Sequence, residues 1–167
     1  IIIACSSNIM DKGIIEVSKK LKIDYFVGSE KNVLSRFYFA AKKYKFKNIV
    51  RITADCPLID PLIVDSVIAN FFKKKVNYAS NTNPPTFPDG LDVEIFKFQE
   101  LKNAYKNAKS NYDKEHVTSY VVKNKNIKKF NLRNSQDLSW LRLTLDEKDD
   151  FTVIKKIINN FKNKPNF

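Results

Sequence analysis

Glycine is rare in this chain, with 3 in 167 residues, and proline is little commoner, with 6. Collagen-like repeats and Gly- or Pro-driven disorder are excluded by that composition, and each such residue becomes a marker for a turn. Cys5 and Cys56 stand far apart with no C-x-x-C spacing, and His116 is the one histidine. Neither a disulfide framework nor a zinc site can be assembled from that set, so both thiols are expected to be free. No apolar stretch approaches the ~20 residues of a membrane span, and no basic segment followed by an apolar one opens the chain. The expectation is a cytoplasmic protein with no membrane partner. An initiator methionine is absent as well, and Ile1-Ile2-Ile3-Ala4-Cys5-Ser6 reads as the middle of a strand, so the chain is expected to be a fragment.

Charge is abundant and one-sided: 30 Lys+Arg against 18 Asp+Glu give +12. A balance of that kind can mark a polyanion partner. Yet only Arg36, Arg51, Arg133 and Arg142 are arginines, the residue suited to bidentate phosphate and base-edge contacts. The lysines are spread over nearly every segment, which describes a solvated surface and no nucleic-acid footprint. A lysine-rich, non-catalytic module that binds polyanions is the rival from another class. With 43% hydrophobic residues the chain can bury a sizeable core without metal or cross-link, and it is expected to form one domain over residues 1–167.

Apolar β-branched runs alternate with helical stripes. Strands are expected at Ile1–Cys5, Asp24–Val27 and Asn48–Thr53, each followed by a helix: Asp11–Leu21, Asn32–Tyr44 and Asp60–Lys74. Asp60-Pro61 has the N-cap acid and first-turn proline that open a helix. Three strand-helix units in succession predict an α/β fold with a mostly parallel sheet. Further strands are expected at Tyr78–Ser80, Asp92–Phe96, Ile127–Leu132 and Trp140–Thr144, with helices at Gln99–Ala108, Lys114–Lys123 and Lys148–Phe161.

Ligands in open α/β sheets bind beyond the carboxyl ends of strands. Asp55 follows the third strand and Asp146 follows Trp140–Thr144. Carboxylates so placed suit a hard divalent cation, which takes one or two of them and leaves its other positions to water and phosphate. Helix capping is the other reading of such acids, for Asp60 and Asp146 above all. The stretch from Asn81 to Glu94 gathers amide, hydroxyl and carboxylate groups around Pro84, Pro85 and Pro88, and it reads either as a binding loop or as a solvated turn cornered at Asp89-Gly90. His116 is either a site residue or part of a helix that Asp113 caps. Arg51 and Arg142, inside expected strands, either form ion pairs or meet a phosphate.

Four segments in order carry a resemblance: VRITADCPLIDP (50–61), YASNTNPPTFPDGLDVEIF (78–96), EHVTSYV (115–121) and LRLTLDEKDDF (141–151). Together they resemble the cytidylyltransferase-like family of spore-coat polysaccharide biosynthesis proteins. That family is similar to the synthetases that activate 3-deoxy-manno-octulosonate and acylneuraminates with CTP. The resemblance implies a three-layer α/β/α nucleotide-diphospho-sugar transferase fold. It also implies transfer of CMP to a sugar or sugar acid, with release of pyrophosphate. Mg²⁺ would be held by Asp55 and Asp146, while Asn81, Asp89, Asp92, Glu94 and His116 would face the sugar, with Arg51 also at the substrate. A homodimer is compatible with it. A glycosyltransferase of the same fold is the nearest alternative. Family members open with a phosphate-cradling R-x-G-S-x-R-L-P-x-K loop, which has no counterpart here. The first strand and that loop are therefore expected to be missing, and this chain is expected not to turn over.

Overall fold

The structure, a computed structural model, describes residues 1–161. It is a mixed α/β fold with parallel strand pairing. In chain order it contains β1 (Ile2–Ser6), α1 (Lys12–Lys20), β2 (Asp24–Gly28), α2 (Val33–Lys43), β3 (Asn48–Arg51) and α3 (Pro61–Lys73). There follow β4 (Tyr78–Ser80), β5 (Glu94–Lys97), α4 (Phe98–Asn107), α5 (Asn111–Glu115), α6 (Ser119–Lys123), β6 (Lys129–Asn131) and α7 (Lys148–Phe161). β1 and β2 pair in parallel as a two-stranded sheet, from Ile2 opposite Asp24 to Ser6 opposite Gly28. A second sheet has the order β3-β5-β4-β6, with β4 and β6 parallel.

The chain divides into two compact units. One comprises Ile1–Ile49 with Phe96–Ile127, the other Val50–Ile95 with the chain from Lys128 on. In the first, α2 packs on α4: Leu34, Ala41, Leu101 and Ala104 are buried, and the Tyr38 ring stacks on Tyr105 at 4.2 Å. In the second, α3 lies on β4, and Val67, Phe71, Val76, Ala79, Val93 and Ile95 form the core.

The helices start as their sequences dictate. Asn32 accepts the Ser35 N–H ahead of α2, and Asp60 accepts the Leu62 N–H ahead of α3 with Pro61 in the first turn. Their ends show what a glycine-poor chain does instead. Lys22, Lys45 and Lys75, after α1, α2 and α3, all take positive φ (55°, 55° and 51°), the position glycine usually fills. In each case the next residue donates back to the helix: Ile23 to Ser18, Phe46 to Ala41, Val76 to Phe71. The same Schellman closure thus recurs three times, each with a lysine bearing the left-handed strain.

Three expectations need correction. Lys114–Lys123 is two short helices, because the chain breaks at His116–Thr118, where Val117 has φ 51°. Asp113 does not cap α5; Ser110 does, accepting the Asp113 N–H. Trp140–Thr144 is not a strand, for its neighbour is a loop and the pairing shrinks to a single parallel bridge between Arg142 and Asp89. Smaller shifts shorten β3 to end at Arg51 and start β5 at Glu94, which leaves Asp92 in the loop. The apolar run of β1 is only half-buried at Ile2–Ala4 and becomes buried at Cys5 and Ser6. Both cysteines are free and buried. No helix of the described residues is long and apolar enough to cross a membrane.

Candidate active site

The second unit contains the segment 81–94 and everything that holds it. Asn81 closes its base: the side-chain amide donates to the Leu91 carbonyl (2.7 Å) and its oxygen accepts the Val93 N–H (2.8 Å). Asn131 fastens the near arm, accepting the Asn83 N–H (2.9 Å) and donating to the Pro84 carbonyl (3.0 Å). Thr86 accepts the Asn134 N–H through its hydroxyl and the Leu138 N–H through its carbonyl. A proline-rich loop that is tied at so many backbone groups is an ordered element.

The far arm lies against residues 141–145. Asp89 donates its N–H to the Leu141 carbonyl (2.9 Å) and accepts the Leu143 N–H (2.7 Å). Gly90 makes this approach possible. It is buried, has φ 100°, and a Cβ there would sit 2.6 Å from the Leu143 carbonyl carbon. Two residues further on the same stretch meets Asp55, whose carbonyl accepts the Leu145 N–H at 2.8 Å. Residues 141–145 therefore bond to both the loop and Asp55, bringing the motifs around Asp55, Asp89 and Asp146 into one neighbourhood.

Two networks occupy it. In the first, buried Glu94 accepts the Tyr78 hydroxyl and the Arg51 guanidinium, both at 2.6 Å. Burial, followed by the negative charge of Glu94, pushes the Tyr78 phenol well above its ordinary range. In the second, Arg142 reaches Asp89 at 3.2 Å, Asp146 at 3.0 Å and Asp150 at 3.0 Å. Asp150 also accepts the N–H groups of Asp146 and Glu147, and the Arg142 hydrogen bonds first, then these two, hold its carboxyl far below the usual range.

Asp92 lies beside both networks. Partial burial, then the charges of Asp89, Glu94 and Asp55, raise its pKa to about 6, with Arg51 opposing them. Next to Asp55, buried Cys56 hydrogen-bonds to Thr53 at 3.1 Å, and burial pushes its thiol up. Thr144 has a buried hydroxyl oxygen with no hydrogen-bond partner.

The sequence-selected residues thus differ in circumstance. Asp55, Asp89, Asp92 and Asp146 are grouped by the backbone pairings and charge interactions above. The Asn81 amide and Glu94 carboxylate are engaged inside the protein, and Arg51 is Glu94's partner. His116 belongs to the first unit, where it ends α5 and packs on Tyr112 with ring centres 4.2 Å apart. Tyr78 and Asp150 were not selected from the sequence. Asp150 stands in the LRLTLDEKDDF motif, and that membership was the available signal for it.

No three His, Cys, Asp or Glu side chains among the described residues are grouped so that they could hold a metal by themselves. A cation that keeps water and substrate oxygens in its shell needs only one or two carboxylates. The donor chemistry fits such a cation: Asp55 offers hard oxygen, and Asp146 binds Arg142 through Oδ2, leaving Oδ1. Burial is the main cause that raises Asp92, and the neighbouring acids that add to it are negative charge that a cation offsets.

Comparison with known proteins gives the family. Residues 1–166 match the profile of the cytidylyltransferases. The chain belongs to the cytidylyltransferase family. An uncharacterized protein of Methanocaldococcus jannaschii is 38% identical over 164 residues, covering 96% of this chain and 66% of its own length. The spore coat polysaccharide biosynthesis protein SpsF of Bacillus subtilis is 28% identical over 149 residues, covering 84% and 59% respectively. The chain therefore spans less than two thirds of these curated relatives. A cytidylyltransferase structure from Leptospira borgpetersenii superposes with a TM-score of 0.91 at 32% identity, covering 96% of this chain and 68% of that one. The molybdopterin-guanine dinucleotide biosynthesis protein A of Archaeoglobus fulgidus shares the fold at a TM-score of 0.59 and 13% identity, covering 90% and 75%.

Proposed function

We propose that the protein is a nucleotidyltransferase that couples a sugar or sugar acid to CTP, forming a CMP-sugar for surface-polysaccharide synthesis. In that reaction a sugar hydroxyl gives up its proton to solvent as its oxygen bonds to the α-phosphorus, the bond from that phosphorus to the bridging oxygen breaks, and pyrophosphate leaves. The observation that carries the reading is the crowd of Asp55, Asp89, Asp92 and Glu94 on the family's own motifs, where burial first and the neighbouring charges second raise the Asp92 pKa to about 6. An acid site of this kind suits phosphoryl transfer, where positioning and charge neutralisation do most of the work.

Asp55 and Asp146 would hold Mg²⁺, which when bound supplies countercharge to the triphosphate. Asp89 and Asp92, on the tied loop, would orient the sugar hydroxyls. Asn81 and the Tyr78–Glu94–Arg51 network keep that loop and the end of β3 in place. The sugar-facing role first expected for Asn81 and Glu94 is not part of this proposal, since both side chains are engaged inside the protein.

The test is pyrophosphate release by the full-length gene product given CTP, MgCl₂ and a panel of sugars and sugar acids. Release that depends on CTP and stops with chelator is expected. Consumption of a preformed nucleotide-sugar without pyrophosphate would replace the reading with a glycosyltransferase.

A further inference from the structure

The Arg142 guanidinium uses all three nitrogens on three different acids. Nε and NH2 grip Asp150 as a two-point fork (3.2 and 3.0 Å), NH2 also reaches Asp146 (3.0 Å), and NH1 reaches Asp89 (3.2 Å). Asp150 is itself fixed at the head of α7 by the N–H groups of Asp146 and Glu147, both at 3.0 Å. A rigid anchor therefore sets the plane of the guanidinium, and that plane sets the direction of Asp146 on one side and Asp89 on the other.

Stability is a poor reason for the arrangement. Arg142 and Asp89 are each 46% exposed along their side chains and Asp146 is 51% exposed, and ion pairs so exposed contribute little to folding. The backbone already joins Asp89 to Leu141 and Leu143 without the side chains.

We propose that Arg142 is the positioning residue of this site, fixing the Asp89 carboxylate against the Asp146 carboxylate through one planar fork. The proposal rests on the nucleotidyltransferase reading, in which Asp89 serves the sugar and Asp146 the cation. It implies that the fork geometry is needed as well as the positive charge, because an ammonium group is a point donor that cannot hold three carboxylates in one plane.

Two measurements test it. In the full-length gene product, Arg142→Lys and Arg142→Gln are both expected to lower kcat by about 10–100-fold, the scale of a small misplacement of reacting groups. KM for CTP should change less than threefold. Lysine that restores wild-type kcat overturns the proposal, since charge alone would then suffice. An unchanged kcat in both variants overturns it too.

The second measurement needs no substrate. With four arginines in the chain, the Arg142 Nε–H resonance is assignable by substitution. It is expected to exchange slowly with water and to move in Asp89→Asn and Asp150→Asn. A rapidly exchanging signal indifferent to both overturns the proposal even if the Arg142 variants fail to fold. If the wild-type protein releases no pyrophosphate with any substrate, the functional reading fails, while this arm still decides whether Arg142 holds the acids.

Discussion

Asp113 in the first unit and Asp92 in the second are both acids near other polar groups, and their surroundings act on them in opposite directions. Asp113 accepts hydrogen bonds from the hydroxyls of Ser119 and Ser110 and from Lys123 at 2.9 Å, which lower its pKa to about 2. Asp92 is desolvated and faces three more acids, which raise its pKa to about 6. The first is an acid whose charge the fold satisfies. The second is an acid whose charge the fold opposes, and groups held against their own ionisation are expected where a ligand completes the balance. Fold-building and ligand-binding acids are thus distinguishable here by who surrounds them.

The sharpest way to break that comparison is Asp55→Asn. If the crowd around Asp92 exists for a cation and a triphosphate, an amide at 55 keeps the shape and loses the attraction. Turnover of the full-length gene product should fall by about 10³-fold or more, against about 10²-fold for a lost orienting contact. The circular dichroism spectrum and melting temperature should stay close to wild type. Residual activity within tenfold of wild type would remove Asp55 from the chemistry.

Gly90→Ala comes next and strikes the loop that brings Asp89 to its place. The added Cβ meets backbone at 2.6 Å in a residue with φ 100°, so neither rotamer change nor side-chain movement relieves it. A loss of about 2–4 kcal/mol in urea unfolding is expected from strain and overpacking together. A loss below about 1 kcal/mol would show that the loop is less tightly held against residues 141–145 than the hydrogen bonds indicate.

How much of this was legible beforehand depended on what kind of signal each part leaves in the chain. The order of strands and helices was legible because the apolar periodicities are strong, and Lys148–Phe161 was readable to the residue. The break at His116–Thr118 was not, since a valine in the left-handed region has no local signature. The acids of the site were legible as members of motifs. Their different conditions were not, because Glu94 pairs with Arg51, 43 positions away, and Asp89 with Arg142, 53 positions away. Residues 140–144 look like a strand by composition, but only the fold decides that their neighbour is the tip of a loop.

The two acids should leave opposite marks on stability against pH. Asp113, with its pKa lowered in the folded state, contributes stability above about pH 4 that is lost as pH falls toward 2. For Asp92 the folded pKa lies above the unfolded value, so its effect runs the other way: stability falls as pH rises from about 4 to 6 and is level above that. Asp92→Asn should therefore raise stability at pH 7 by about 1–3 kcal/mol and flatten the slope between pH 4 and 6. Asp113→Ala should lower it by about 1–2 kcal/mol through the hydroxyls left unpaired. Denaturant midpoints across pH 3–8 measure both. An Asp92→Asn protein less stable than wild type at pH 7 would mean that the acid is satisfied by groups other than those that crowd it.

The smallest effect separates the donors that satisfy Asp113. Lys123 is 62% exposed along its side chain, whereas the Asp113 carboxylate is 14% exposed and receives Ser119 and Ser110 as neutral donors. An ammonium in water contributes little to such a pair, and holding a long side chain in one geometry offsets part of what it gives. Lys123 also lies over the Tyr112 ring at 4.8 Å, a contact that a methionine stem retains in part. Lys123→Met should thus cost about 0.5 kcal/mol or less and should weaken further as an effect when salt is raised. Ser119→Ala, which removes a hydroxyl bonded to the shielded carboxylate, should cost about 1–2 kcal/mol with no salt dependence. If the lysine variant proves the costlier of the two, Asp113 is held by charge, and the contrast with Asp92 is one of ion pairing instead of neutral hydrogen bonding.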